Sequence, residues 1–280
     1  METNHAMIRM MLNPVIAEAS INIAKAADFE ISEAEHKPFV DFVHWINSRP
    51  EFIKKWRSDV VTEQREYIRF MGLSDDVREA YAAAAYHQTR VAEIELSVRN
   101  VLDKCEFSNI LAKGSVCSFG RMRQMDYEYQ AYVLSYRRCL DYFAWSITTY
   151  FNHKIDSFNR LSTSLNGCTP IAVSAPLLAA YQRHIQNFSF VIGSDKGRST
   201  RDKIAHQKSV KAGFINAFHS GYRIVGGGEG IGIVNPNDER DLSQRLADRL
   251  KQLHDCLADM LLTFQQAVTK SEIESHIQIV

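Results

Sequence analysis

Residues 242–264 of this chain read LSQRLADRLKQLHDCLADMLLTF. Seven apolar side chains recur here every three or four residues, which is the spacing of one face of an α-helix. They are Leu242, Leu246, Leu250, Leu253, Leu257, Leu261 and Phe264. This stripe is the longest in the sequence, so we expect a central core helix that starts near Asn235. It predicts an all-α fold, a helical bundle of long antiparallel helices.

Two further long helices are predicted before it. One runs from Ser74, its N-cap, to about residue 105, with a buried stripe in its later half. That stripe consists of Val91, Ile94, Val98, Val101, Leu102 and Cys105. The other helix runs from about residue 122 to 152. Its apolar face consists of Tyr132, Tyr136, Leu140, Phe143, Ala144 and Ile147.

The remaining segments give weaker signals. Shorter helices are predicted at residues 14–27, 38–47 and 50–72. We therefore expect an N-terminal helical region of unknown role at residues 1–120 and the helical bundle at 121–280.

Two segments between the long helices contain many turn-forming residues. Serine, threonine, asparagine, glycine and proline predict a loop at 157–173, and Pro176 should open a helix that reaches about Val191. Residues 222–225 and 231–234 flank a glycine run, so a small β-hairpin is predicted at 222–234. The glycine run lacks the lysine and hydroxyl residue of a phosphate-binding loop.

Composition excludes several classes of protein. The 280 residues are 45% hydrophobic and 24% charged, as in ordinary soluble globular proteins. The five cysteines are odd in number and form no C-x-x-C pair, which argues against a disulfide framework or zinc site. We interpret them as reduced thiols of a cytoplasmic protein. The sequence predicts neither a signal peptide nor a membrane-spanning helix.

Positive charge is concentrated in residues 194–211. The whole chain has a formal net charge of zero, but this segment carries six basic and two acidic side chains. A local excess of this kind indicates an anion-binding site. At its centre lies Arg201-Asp-Lys-Ile-Ala-His206, and Ser199 or Thr200 is available to cap a helix that carries it.

The order of these elements resembles the HEPN superfamily. The shared features are Tyr136-Arg-Arg-Cys-Leu-Asp141 on a long helix, then Arg201 to His206, then a hairpin that leads to a terminal helix. That family is an all-α bundle marked by an arginine, a polar residue, a few variable positions and a histidine. Asp202 fills the polar position, where asparagine is commoner in the family. The resemblance covers about residues 122–268.

The resemblance implies metal-independent endoribonuclease activity, without a cofactor, of a toxin–antitoxin or antiviral-defence kind. Arg201, His206 and Asp202 would be the catalytic residues. A histidine suits proton transfer near neutral pH, and an arginine suits a phosphate. The substrate-binding cations would be Arg198, Lys203 and Lys208, and the supporting residues Arg137 and Asp141.

The resemblance also implies partners. Positions 201 and 206 of a regular helix point about 140° apart. Both can serve one pocket only if Arg201 lies in the first, irregular turn and has a long reach, or if they meet groups from another helix or chain. Family members often pair two motifs in a homodimer, and an antitoxin or other protein could bind as well.

An inactive helical module that binds RNA, a nucleotide or a protein partner is the alternative. In that interpretation the same cationic segment holds the ligand. In a purely structural interpretation, Arg201 bonds carbonyl groups or a carboxylate such as Asp141, and His206 is a satisfied interior or surface histidine. The i, i+4 spacing of Arg137 and Asp141 is by itself typical of a surface ion contact.

Two other features are assigned to structure. His254 is predicted on the exposed side of the last helix, without the further histidines of a metal site. Five tyrosines are assigned to the core and to interfaces rather than to base stacking. They are Tyr127, Tyr129, Tyr132, Tyr136 and Tyr142.

Overall fold

The computed structural model describes residues 18–19, 28–49, 61–119, 122–193, 199–206, 210–226 and 241–277, with backbone alone at 61–63, 206, 225–226 and 275–277. The chain divides into two compact units, residues 1–32 and 33–280, and the elements below belong to the second. The predicted helix at 14–27 lies outside the described residues except for 18–19, which are helical.

The second unit is mostly α-helical with one small antiparallel sheet, which confirms the predicted fold class. Its helices are α1 (Glu33–Asn47), α2 (Val61–Met71), α3 (Asp76–Leu102), α4 (Phe107–Ile110), α5 (Arg123–Thr149), α6 (Leu161–Asn166), α7 (Ile171–His184), α8 (Ser189–Ile192), α9 (Thr200–His206) and α10 (Leu242–Ile277). Its strands are β1 (Val116–Phe119), β2 (Gly213–Phe218) and β3 (Gly221–Gly226).

Helices α3, α5 and α10 form the core. Helix α5 packs along α3, while α10 packs against α3, α7 and α1. All seven predicted apolar residues of α10 and all six of α5 are buried, so both stripes are confirmed. The hydroxyls of Tyr132 and Tyr136 each donate a 2.9 Å hydrogen bond to a backbone carbonyl of α10. These bonds satisfy the two polar groups that the apolar stripe buries.

The N-terminal region and the bundle are in direct contact through α3 and α5. The predicted division at residue 120 stays a prediction. The start of the last helix predicted near Asn235 lies outside the described residues, and the described helix begins at Leu242. There the carboxylate of Glu95, only 2% exposed, accepts a 2.8 Å hydrogen bond from the backbone N–H of Ser243. A carboxylate stabilises the positive end of a helix dipole.

Two predictions for α3 are wrong. Asp75 rather than Ser74 is the N-cap, because the Ser74 hydroxyl donates to the carbonyl of Met71 and closes the preceding turn. The predicted buried stripe also fails at Val101, which is 65% exposed, and at Cys105, which is exposed and lies beyond the end of α3 at Leu102. The buried face continues through Glu95 and Leu102, and position 101 lies about 100° away from it. The prediction was wrong because it considered apolar residues only and therefore left out the buried Glu95.

The segment between α5 and α9 is more ordered than predicted. The predicted loop at 157–173 is wrong, because it contains a 3-10 turn at Phe158–Arg160 and helix α6. Buried Phe158, Leu161 and Leu165 hold these turns against the bundle. Pro176 does not open α7, which starts at Ile171 and contains the proline.

The sheet has the order β1-β2-β3, and both pairs are antiparallel. Strand β3 contains the predicted strand at 222–225, and its described partner is β2, joined to it by a turn at His219 and Ser220. The other predicted strand, 231–234, and the glycine run after Gly226 lie outside the described residues. The pattern did not predict β1 or β2.

The remaining predictions concern His254, the five tyrosines and the cysteines. His254 is half-buried rather than exposed, since its ring lies 5.9 Å from that of Tyr81. Of the five tyrosines assigned to the core and interfaces, Tyr129, Tyr132 and Tyr136 are fully buried, whereas Tyr142 is partly exposed and Tyr127, at 64% exposed, does not belong to the core. All five cysteines are free thiols.

Candidate functional site

Helix α9 carries the sequence motif and starts at a cap that the sequence predicted. The Ser199 hydroxyl accepts a 3.0 Å hydrogen bond from the backbone N–H of Asp202, and the Ser199 carbonyl accepts one from Lys203. Ser199 and Thr200 are both buried. A serine at this position satisfies a donor that the first turn of a helix leaves unpaired. The start of α9 is therefore fixed.

Helix α5 holds the chain on both sides of α9. Helix α9 packs against α5 and against α8. Beyond α9, the backbone N–H of Ala212 donates a 2.7 Å hydrogen bond to the buried carboxylate of Asp126 on α5. Asp126 could not be identified from sequence, because its partner lies 86 residues away.

Arg201 and Asp202 form an ion pair at the surface of α9. The Nη1 atom of Arg201 lies 3.1 Å from Oδ1 of Asp202, and the two side chains are 36% and 40% exposed. Partial burial raises the pKa of Asp202, but its hydrogen bonds to Ser199 and Arg201 and the charges of Arg201 and Arg137 outweigh burial and hold that pKa below its ordinary value. Asp202 is therefore ionised at neutral pH.

Arg137 and Asp141 form a second ion pair, on α5. The Nε atom of Arg137 donates to Oδ2 of Asp141 over 2.7 Å, and the side chains are only 13% and 23% exposed. A surface ion contact, the simplest interpretation of their spacing, is therefore wrong.

Each member of this pair also binds a neighbouring segment. Arg137 donates to the Ser157 hydroxyl at 2.8 Å and to the Val191 carbonyl at 3.3 Å. Asp141 accepts a 2.9 Å hydrogen bond from the backbone N–H of Phe158. The pair thus fixes the 3-10 turn and the end of α8 on α5. The contact of Ser157 with Arg137 was not predicted, because Ser157 was assigned to a loop.

Helix α9, with Arg201 and Asp202, packs against α5, which carries Arg137 and Asp141, and the charge of Arg137 contributes to the lowered pKa of Asp202. Lys203 lies on the same helix and is partly exposed. His206 is the last residue of α9, and its side chain is not described. The predicted phosphate-binding residues Arg198 and Lys208 lie outside the described residues.

The described residues meet neither the requirements of a metal centre nor those of a membrane-spanning helix. Within those residues, no three histidine, cysteine or acidic side chains are grouped as metal ligands would be. None of the described helices combines the length and apolarity that crossing a bilayer requires.

Comparisons of this chain with models of protein families, with curated proteins and with solved structures gave no match.

Proposed function

We propose that this protein is a metal-independent endoribonuclease of the HEPN kind, which acts on cellular RNA in a toxin or phage-defence setting. The observation that supports this proposal best is the capped helix α9, which presents a half-exposed arginine and packs against the helix that carries the Arg137–Asp141 pair. A guanidinium in such a position is accessible to a phosphate and is always charged.

In the proposed reaction the 2′-hydroxyl of a ribose attacks the adjacent phosphorus. A histidine takes the hydroxyl proton, the O2′–P bond forms, and the P–O5′ bond breaks as the leaving oxygen gains a proton. The products are a 2′,3′-cyclic phosphate and a 5′-hydroxyl. Arg201 would stabilise the charge of the phosphorane, His206 would transfer protons, and Asp202 would orient Arg201. Arg198, Lys203 and Lys208 would hold flanking phosphates.

The proposed site is completed by a second copy of the chain. Positions 201 and 206 of a regular helix lie about 140° apart around its axis, which favours a pocket built from two chains. In a homodimer, Arg201 of one copy would face His206 of the other. Two histidines would then be present for the two proton transfers.

The test is RNA cleavage in the presence of a chelator. We expect a cyclic phosphate product, and a loss of about 100-fold or more for both Arg201→Ala and His206→Ala. Arg90→Ala is the matched control for the arginine, because Arg90 also pairs with a nearby carboxylate on its own helix. His44→Ala, at the exposed end of α1, is the control for the histidine. Full activity of both site variants would refute the proposal.

A second candidate is a module that binds RNA without cleaving it. The close Arg201–Asp202 pair favours it, because an ionised carboxylate 3.1 Å from the guanidinium offsets the charge available to a phosphate. This candidate predicts no turnover and binding that weakens as salt increases. It also predicts tighter RNA binding by Asp202→Asn. Chelator-resistant cleavage that requires Arg201 would exclude it.

A further inference from the structure

Helix α5 has a second surface with arginines over aromatic rings. The guanidinium of Arg138 lies 4.9 Å from the ring centre of Tyr142, and its Nε donates a 2.6 Å hydrogen bond to the Tyr142 hydroxyl. The guanidinium of Arg69, on α2, lies 4.7 Å from the ring centre of Trp145. We call these four residues the stacking face.

The stacking face is separate from the core side of the helix. Positions 138, 142 and 145 follow the i, i+4, i+7 spacing of one helix face, about 10 Å long. Trp145 is 44% exposed, and Arg138 is exposed as well, whereas Tyr136 and Phe143 of the same helix are fully buried. An indole in this position is not needed to fill the interior.

Its chemistry fits a polyanion with flat rings better than an apolar protein surface. Covering the face with an apolar partner would remove two guanidinium groups from water, which costs several kcal/mol per unpaired charge. Part of this cost is offset at Arg69, because the negative charge of Glu66 acts on its guanidinium. A nucleic acid supplies phosphates for the arginines and bases for the rings, and such stacking is the usual way in which single strands are held.

The stacking face adjoins the candidate site. Asp141 precedes Trp145 by one turn of α5, about 6 Å along the axis, and α9 packs against the same helix. A strand on the stacking face could therefore continue towards α9.

We infer that the stacking face binds single-stranded RNA by stacking bases on Trp145 and Tyr142 and by pairing phosphates with Arg69 and Arg138. This inference rests on the proposed function in one respect, namely that RNA is the ligand. It specifies single-stranded rather than duplex RNA as the ligand, because the bases of a duplex are already stacked on each other and cannot reach the rings.

The experiment is fluorescence anisotropy with a labelled, fully 2′-O-methylated 12-nucleotide RNA, alone or annealed to its complement. The methyl groups block the attacking hydroxyl, so binding is measured without cleavage. We expect the single strand to bind more tightly than the duplex. Trp145→Ala should weaken single-strand binding by about 5- to 100-fold. Trp145→Phe keeps an aromatic ring and should retain most of the binding, so it is the control for misfolding. Tyr86→Ala removes an exposed ring on α3 and should change nothing.

Three results would overturn the inference. They are absence of single-strand binding by the wild type, wild-type affinity in Trp145→Ala, and loss of self-association rather than RNA binding in that variant. Binding that depends on Trp145 without any cleavage of unmodified RNA would sustain this inference and contradict the ribonuclease proposal. Cleavage of unmodified RNA together with binding that is indifferent to Trp145 would do the reverse.

Discussion

The Arg137–Asp141 and Arg201–Asp202 pairs have the same chemistry in different surroundings. The first is largely buried and also binds Ser157, Phe158 and Val191. The second is half exposed, and water screens much of the attraction between its members. The difference teaches that the first pair maintains the structure, whereas the second leaves its arginine accessible to a ligand. The following predictions test that contrast.

The largest effect is expected from Arg137→Ala. It leaves Asp141 shielded from solvent without its cation and removes the bonds to Ser157 and Val191. Breaking a buried pair in this way typically costs about 3–5 kcal/mol. Urea unfolding followed by circular dichroism measures the loss. Arg90→Ala should stay within about 0.5 kcal/mol of the wild type, and an equally small effect at Arg137 would contradict the assigned role.

A smaller effect is expected from Ser199→Ala. The hydroxyl caps α9 through the Asp202 N–H, and loss of such a cap costs about 1 kcal/mol. Urea unfolding gives the stability, and the same variant should cleave RNA more slowly if α9 holds the catalytic arginine. Ser97→Ala is the control, because the hydroxyl of Ser97 lies on the exposed side of α3 and bonds only the carbonyl of Glu93 in the same helix. We expect no loss of either property.

The exposed pair should be visible as a titration. We expect the pKa of Asp202 to lie below its ordinary value and to rise in Arg201→Met, as measured by carboxyl NMR. A depressed pKa stabilises the fold above the unfolded value, and this stabilisation is lost as the pH falls through the folded value. Screening limits it to a few tenths of a kcal/mol. An unchanged pKa in Arg201→Met would show that the two side chains do not interact in solution.

The smallest effect connects the two pairs. Arg137 is the most minor of the influences that lower the pKa of Asp202. Arg137→Met should therefore raise that pKa less than Arg201→Met does, in the same NMR titration of the folded variant. A larger shift from Arg137 would reverse the assignment of roles.

The sequence predicted what depends on local periodicity. The stripes of α5 and α10 follow from helical spacing, because each buried side chain has apolar neighbours one turn away. The Ser199 cap was predictable for the same reason, since its partners Asp202 and Lys203 lie only three and four positions along the chain.

Contacts between distant residues could not be predicted. Glu95 occupies a buried position because it bonds Ser243, which is 148 residues away. Ser157 looked like a loop residue because its partner Arg137 lies on another element. Strand β2 has only six residues, and its pairing with β1 brings together residues about a hundred positions apart.

The chain is attached to α5 at one point before α9 and at one point after it, and this arrangement limits how the length of the segment can change. They lie at Arg137 and Asp126, eleven positions apart on the same rigid helix, or about 16 Å. The chain between Val191 and Ala212 could span about 70 Å if fully extended. It is therefore several times longer than the gap it bridges. The length of chain between the two attachments can therefore change by a few residues without moving either of them.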